Sequence, residues 1–199
     1  MAAVLWTGGK DSCLALHRAV NQGVSITCLA TFVPTDGHDF KAHPRQLIEK
    51  QARALELPHF FLDVKEPYEE GYAEGLTFLR DRGRVGAVVT GDIDIVAGHP
   101  NWIVERCTGL NIEVIRPLWK ESRISLMKEL LSRRIEAKIT WINHPEIPQS
   151  WKGRIIDEQL LDELVALSER AGIDLCGENG EYHTMVVRAP MFRTETPII

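Results

Sequence analysis

The sequence contains no run of apolar residues approaching the roughly 18 to 20 that a membrane-spanning helix requires. It also lacks the charged and then apolar opening of a secretory leader. No membrane partner is therefore expected, and the expected address is cytoplasmic. Positive charge is in short supply: 23 Lys and Arg stand against 28 Asp and Glu, a net charge of −5. That balance argues against a broad basic face and so against nucleic acid as a partner, because phosphate binding rests on clustered Lys and Arg. Cysteines are few and scattered. Cys13, Cys28, Cys107 and Cys176 form no C-x-x-C and no metal-finger spacing, which excludes a disulfide framework or zinc ribbon as the organising principle. Cys13 and Cys28 are expected to pack as small apolar side chains. Seven histidines include no H-E-x-x-H pair, so no resident metal is expected. Internal repeats and low-complexity stretches are absent too.

What is present suits a globular chain. With 199 residues, 44% of them apolar, there is enough to fill the core of one large domain or of one domain with a small appendage. Short β-rich runs alternate with helical periodicity as far as Asn143. "AAVLW", "VSITCLATFV", "HFFLDV", "VGAVVT", "NIEVI" and "EAKITWI" read as strands. Between them, helices are expected after Lys10, over about 44–56, 68–82 and 122–134. Strand followed by helix, repeated, indicates an α/β fold with a parallel sheet wrapped by helices. After Asn143 the rhythm changes to a loop, "NHPEIPQSWKGR", and then a helix over about 157–171 with Leu160, Leu164, Leu167 and Ala171 on one face. The expected division is a nucleotide-binding domain over 1–143 and a small C-terminal substrate-site subdomain over 144–199.

Two stretches carry chemistry. In an open parallel sheet, ligands bind beyond the carboxyl ends of the strands, and "VLWTGGKDSC" puts Thr7, Gly8, Gly9, Lys10, Asp11 and Ser12 in such a loop. Glycines let backbone amides approach an anion, the helix that follows offers unpaired N–H groups, and Lys10 adds a full charge. The result is a phosphate cradle. Its spacing is not the Walker G-x-x-x-x-G-K-[ST] or the dinucleotide G-x-G-x-x-G. A Mg²⁺ ion nearby or a helix-capping role would balance Asp11. Far along the chain, "GIDLCGENGEYHTMVV" gathers Glu178, Asn179, Glu181, His183 and Thr184 between a helix and a strand. Gly177 and Gly180 permit a tight loop there, and such loops are where chemistry usually sits.

The order T-G-G-K-D-S after the first strand resembles the S-G-G-x-D-S loop of the PP-loop ATP pyrophosphatases, with Thr7 where serine is usual. Together with "TGD" (90–92), "RPLW" (116–119), "CGENGEYHT" and "APMF", it resembles the diphthine-ammonia ligase family from about Val4 to Phe192, in a spelling similar to bacterial-type members. The resemblance implies ATP and Mg²⁺ as cofactors. It also implies adenylation of a substrate carboxylate, attack by ammonia, and release of AMP and pyrophosphate. It would make Thr7 to Ser12 and Gly91 the nucleotide-binding residues. Glu178, Glu181, His183 and Asp92 would be catalytic, and His43, Asn179, Thr184 and Trp119 would contact substrate. The partners implied are ATP, ammonium and a carboxylate acceptor, which is elongation factor 2 only in a source that makes diphthamide; a homodimer is compatible. "GHDFKAHP" and "IDIVAGHPNW" depart from the usual family segments. Two rival readings share the fold: a tRNA sulfurtransferase, which would need Cys176 as its reactive thiol, and a non-catalytic ATP-binding protein.

Overall fold

The computed structural model describes residues 1–35, 42–95, 101–194 and 197–198. Five strands form one parallel sheet: β1 (Ala2–Leu5), β2 (Ile26–Pro34), β3 (His59–Val64), β4 (Ala87–Val89) and β5 (Glu113–Ile115), in the order β3-β2-β1-β4-β5. Side chains alternate across a strand, and both faces of β1 are covered. Ala2, Val4 and Trp6 join the larger apolar cluster, and Ala3 joins the smaller one on the opposite face. This is why the strand reads as a continuous apolar run rather than an alternation. The helices α1 (Lys10–Asn21), α2 (Arg45–Leu55), α3 (Tyr68–Asp81), α4 (Trp102–Cys107) and α5 (Arg123–Ser132) follow β1 to β5 in turn.

The expected helices form where periodicity placed them. α2 buries Ile48, Gln51, Ala52 and Leu55, the i, i+3, i+4, i+7 stripe of an amphipathic helix. The last helix, α6 (Glu158–Ala171), starts at Asp157, whose carboxylate accepts from the Leu160 N–H at 2.8 Å, and stops at Gly172 with φ 69°. Its buried Leu160, Leu164 and Leu167 are each worth about 2 kcal/mol of transfer free energy, while Ala171 is only half-buried.

One strand departs from expectation. "EAKITWI" forms β6 (Glu136–Ile142), but it does not extend the parallel sheet; it pairs antiparallel with β7 (Tyr182–Arg188) in a separate two-stranded sheet. Only Ala137, Ile139 and Ile142 of β6 are buried, the one-sided pattern of a strand with a single covered face. Asn143, where the division was expected, directly follows this strand. The second sheet shares a core with the first: Tyr182 and Met185 of β7 and Leu160 of α6 belong to the same apolar cluster as Val4 of β1 and Leu16 of α1.

Candidate active site

The strand order sets the position of the site. The chain runs outward from β1 through β2 to β3 and then returns to the other side of β1 with β4. The carboxyl ends of β1 and β4 therefore flank the switch point, where a crevice opens in folds of this kind. Thr7 to Ser12 lead out of β1 and Thr90 to Asp92 out of β4. The two loops touch: a Cβ on Gly91 would stand 2.7 Å from the Asp11 carbonyl carbon and 2.8 Å from the Ser12 nitrogen, so only glycine fits. Gly8 has φ 77°. Gly9 is the N-cap of α1 and, among the described residues, has no side-chain capping bond, a helix start of the kind that favours an anion. Thr7 Oγ1 donates to Ser12 Oγ at 3.4 Å, and Ser12 Oγ to the Gly9 carbonyl at 3.1 Å.

The C-terminal unit grips this loop from behind. Val186 N–H of β7 donates to the Gly8 carbonyl at 2.8 Å, and Thr184 Oγ1 accepts from the Lys10 N–H at 3.1 Å. Gln51 supplies a third tie. Its amide donates to the carbonyls of Gly8 (2.9 Å) and Val186 (2.8 Å), and its oxygen accepts from the Trp6 indole at 3.0 Å. Sequence reasoning missed Gln51 and Trp6; the signal was a glutamine on the apolar stripe of α2, a position that demands buried partners.

The loop 174–181 is closed by its own polar groups. Gly177 and Gly180 adopt φ 75° and 82°. Glu181 is buried, and its carboxylate accepts from Asp174 N (2.8 Å), Asn179 N (3.0 Å) and Asn179 Nδ2 (3.1 Å). Asp174 takes the Cys176 N–H at 2.8 Å and the Arg123 guanidinium at 3.0 Å. Lys10, only 3% exposed, joins the two motifs: its ammonium donates to the Cys176 carbonyl and to Asp11 at 2.7 Å, and lies 5.4 Å over the Tyr182 ring. Glu178 spans to the other side, where its Oε2 accepts from Ile93 N at 3.3 Å.

Two adjoining chambers lie among these residues. The larger, of about 510 Å³, lies over the ends of the parallel strands, with Phe32, Tyr72 and Trp102 on its apolar side and Ser12, Gly91 and Asp92 on its polar side. Phe32 stacks on Tyr72 at 4.3 Å, and Tyr72 meets Trp102 edge-on at 5.8 Å. The smaller, of about 290 Å³, lies between the early loop and the C-terminal loop and is lined by Gly9, Lys10, Cys176, Gly177, His183 and Thr184 among others. Thr7, Asp11, His43 and Glu178 line both.

Comparison with known proteins finds two matched stretches of the chain. Residues 1–113 match the family model described as diphthamide synthase N-terminal domain, and residues 122–198 match the diphthamide synthase C-terminal domain. The chain belongs to the diphthamide synthase family. Among its relatives, the human diphthine–ammonia ligase is 27% identical over 216 residues, covering 96% of this chain and 80% of that protein. The rat diphthine–ammonia ligase is 26% identical with the same coverage. The fission yeast (Schizosaccharomyces pombe) diphthine–ammonia ligase is 25% identical over 95% of this chain but only 34% of its own length.

In this diphthamide synthase family member, most of the expected site residues converge and a few do not. Asn179 and Glu181 are occupied inside the 174–181 loop, and Thr184 holds the Lys10 backbone. Trp119 lies under the Arg116 guanidinium at 4.1 Å and lines neither chamber. Asp11 is balanced by Lys10 rather than by a capping bond. The segments that depart from the usual family pattern lie partly outside the described residues. Electrostatics separates the converging groups. Burial, and then the Asp11 carboxylate, push the Glu178 carboxyl up to about 7. Burial, His183 and Lys10 push His43 down to about 4, and burial and then Lys10 lower His183. Burial works against the Lys10 charge, yet Asp11 and then Tyr182 and Cys176 hold it above the usual lysine value.

Proposed function

We propose that the protein is an ATP-dependent carboxylate–ammonia ligase. It adenylates an acceptor carboxylate and passes the acyl group to ammonia, with release of AMP and pyrophosphate. The observation that carries this reading is the T-G-G-K-D-S loop at the switch point, open on one side to a chamber the size of a nucleoside and on the other to a second polar chamber. ATP lies with its base against Phe32, Tyr72 and Trp102 and its β and γ phosphates over Gly8 to Ser12. Its α-phosphorus then faces the shared wall of Thr7, Asp11, His43 and Glu178. Backbone amides fixed before the reaction stabilise charge on the departing pyrophosphate at little reorganisation cost. Asp92 fits a Mg²⁺ companion of ATP, since one oxygen is held by Asn101 at 2.5 Å and magnesium needs only one or two protein carboxylates beside phosphate oxygens. When bound, the ion would neutralise charge on the phosphates.

Adenylation is needed because a carboxylate has no leaving group that ammonia can displace at neutral pH. The relatives are named for diphthine and ammonia, and a diphthine-like carboxylate entering through the smaller chamber fits the same path. The sulfurtransferase reading is disfavoured by Cys176: its thiol is buried and pushed up to about 12, the opposite of a reactive thiolate. The test is mass spectrometry of cell extract incubated with the protein, ATP, Mg²⁺ and nitrogen-labelled ammonium. A labelled carboxamide formed together with AMP is expected. ADP in place of AMP, or no label incorporated, would overturn the reading.

A further inference from the structure

Ammonium presents a problem that the adenylation step leaves open. At neutral pH it is almost entirely protonated, and the protonated form has no lone pair to attack an acyl group. A ligase that uses free ammonium needs a place where the cation enters and a base that takes its proton beside the activated carbonyl.

We infer that the smaller chamber is the ammonium site, with Glu178 accepting the proton of the bound ion. The inference rests on the ligase reading above. Four observations carry it. The chamber, of about 290 Å³, has room for a small cation beside the end of an acceptor chain. Glu178 lines both chambers, so a group bound on its inner side lies next to the shared wall where the acyl group is activated. Its Oε2 is fixed by the Ile93 N–H at 3.3 Å, and among the described residues its Oε1 takes no hydrogen bond, leaving one oriented acceptor. The other candidate carboxylates are committed: Glu181 to three N–H groups of its own loop, Asp174 to Arg123 and Cys176, and Asp11 to Lys10.

The groups facing Glu178 suit the role. Asp11 and Lys10 approach it from α1 and Asp174 from its own loop; the buried environment and Asp11 hold its carboxyl at about 7, where a general base works best. His43 and His183 stand edge to face across the chamber with centroids 5.3 Å apart, and burial first, with the Lys10 charge beside it, lowers both from the usual histidine value. The step balances. Ammonium gives one proton to the Glu178 carboxylate, and the freed lone pair forms the C–N bond to the acyl carbon. The C–O bond to the adenylate breaks with its electron pair leaving on AMP, and the second proton goes from the adduct nitrogen to the neutral His183 imidazole.

The test has a binding arm and a chemical arm. In the first, ammonium chloride is titrated into the full chain against sodium chloride at matched ionic strength, with thermal unfolding as the readout. The wild type should gain a saturable stabilisation from ammonium that sodium does not give and that weakens as the pH falls through about 7. The apparent affinity should fall about tenfold or more in Glu178→Gln and in Glu178→Ala. Equal responses to the two salts, or an ammonium response the same in both variants as in the wild type, overturn the inference. In the second arm, hydroxylamine, a nucleophile already neutral at this pH, replaces ammonium, with cell extract as the acceptor source. Glu178→Gln should lower amide formation about a hundredfold while hydroxamate formation falls far less. Equal losses with both nucleophiles would contradict a deprotonating role. If the wild type forms AMP with neither nucleophile, the ligase reading fails and the titration still decides the chamber. If it forms both products while Glu178→Gln treats ammonium as the wild type does, this inference alone fails.

Discussion

With no solvent exposure and three hydrogen bonds, the Gln51 carboxamide is committed to Trp6, Gly8 and Val186. Gln51→Leu keeps the volume but strands the Trp6 indole N–H, takes a donor from the Val186 carbonyl and leaves the Gly8 carbonyl with the Val186 N–H alone. A buried group left without its partner costs about 1 to 3 kcal/mol, and a drop of about 3 kcal/mol in urea unfolding is expected, with weaker ATP binding because Gly8 keeps only one of its two ties. His17 makes a different prediction. It is buried on α1 with Nε2 unpartnered among the described residues, and burial and then Arg133 lower it to about 4, with Glu129 opposing. The unfolded chain takes up this proton at the ordinary value near 6.5, so stability is lost as pH falls from there toward about 4, by an amount on the order of 3 kcal/mol. His17→Leu should flatten that part of the stability profile measured by denaturant titration; an unaltered slope would show that His17 is not its source.

Among the elements, the parallel strands and amphipathic helices were legible because burial pattern is local: Ile48, Ala52 and Leu55 announce α2 without knowledge of what they touch. β6 was not, because its partner lies about forty residues on and nothing within "EAKITWI" says which edge it joins. The early loop was legible through its order of residue types. The roles of Glu181 and Trp119 were not, since each depends on whether neighbours fold onto the side chain, as Asn179 and Arg116 do. Contact between elements also gives a test. Gly91→Ala drives a methyl against the Asp11 and Ser12 backbone, so the loop must shift away from β4. ATP affinity, measured by calorimetry, should fall about tenfold or more while the far-ultraviolet circular dichroism stays that of the wild type; retained affinity would show that the two loops need not touch.

Across the whole molecule, two units share one crevice. The parallel sheet supplies the strand ends and the glycine loop, and the C-terminal unit holds that loop through Thr184, Val186 and the Lys10 contact with Cys176. In the proposed reaction, nucleotide cleavage and acyl transfer take place on the two sides of the residues these chambers share, Glu178 among them. The most direct measurement is a crystal structure with an ATP analogue carrying a methylene between the α and β phosphorus atoms, which cannot be cut there. The β and γ phosphates should lie over Gly8 to Ser12 with the base against Tyr72 and Trp102. Phosphates bound away from that loop, with the loop left empty, would contradict the account.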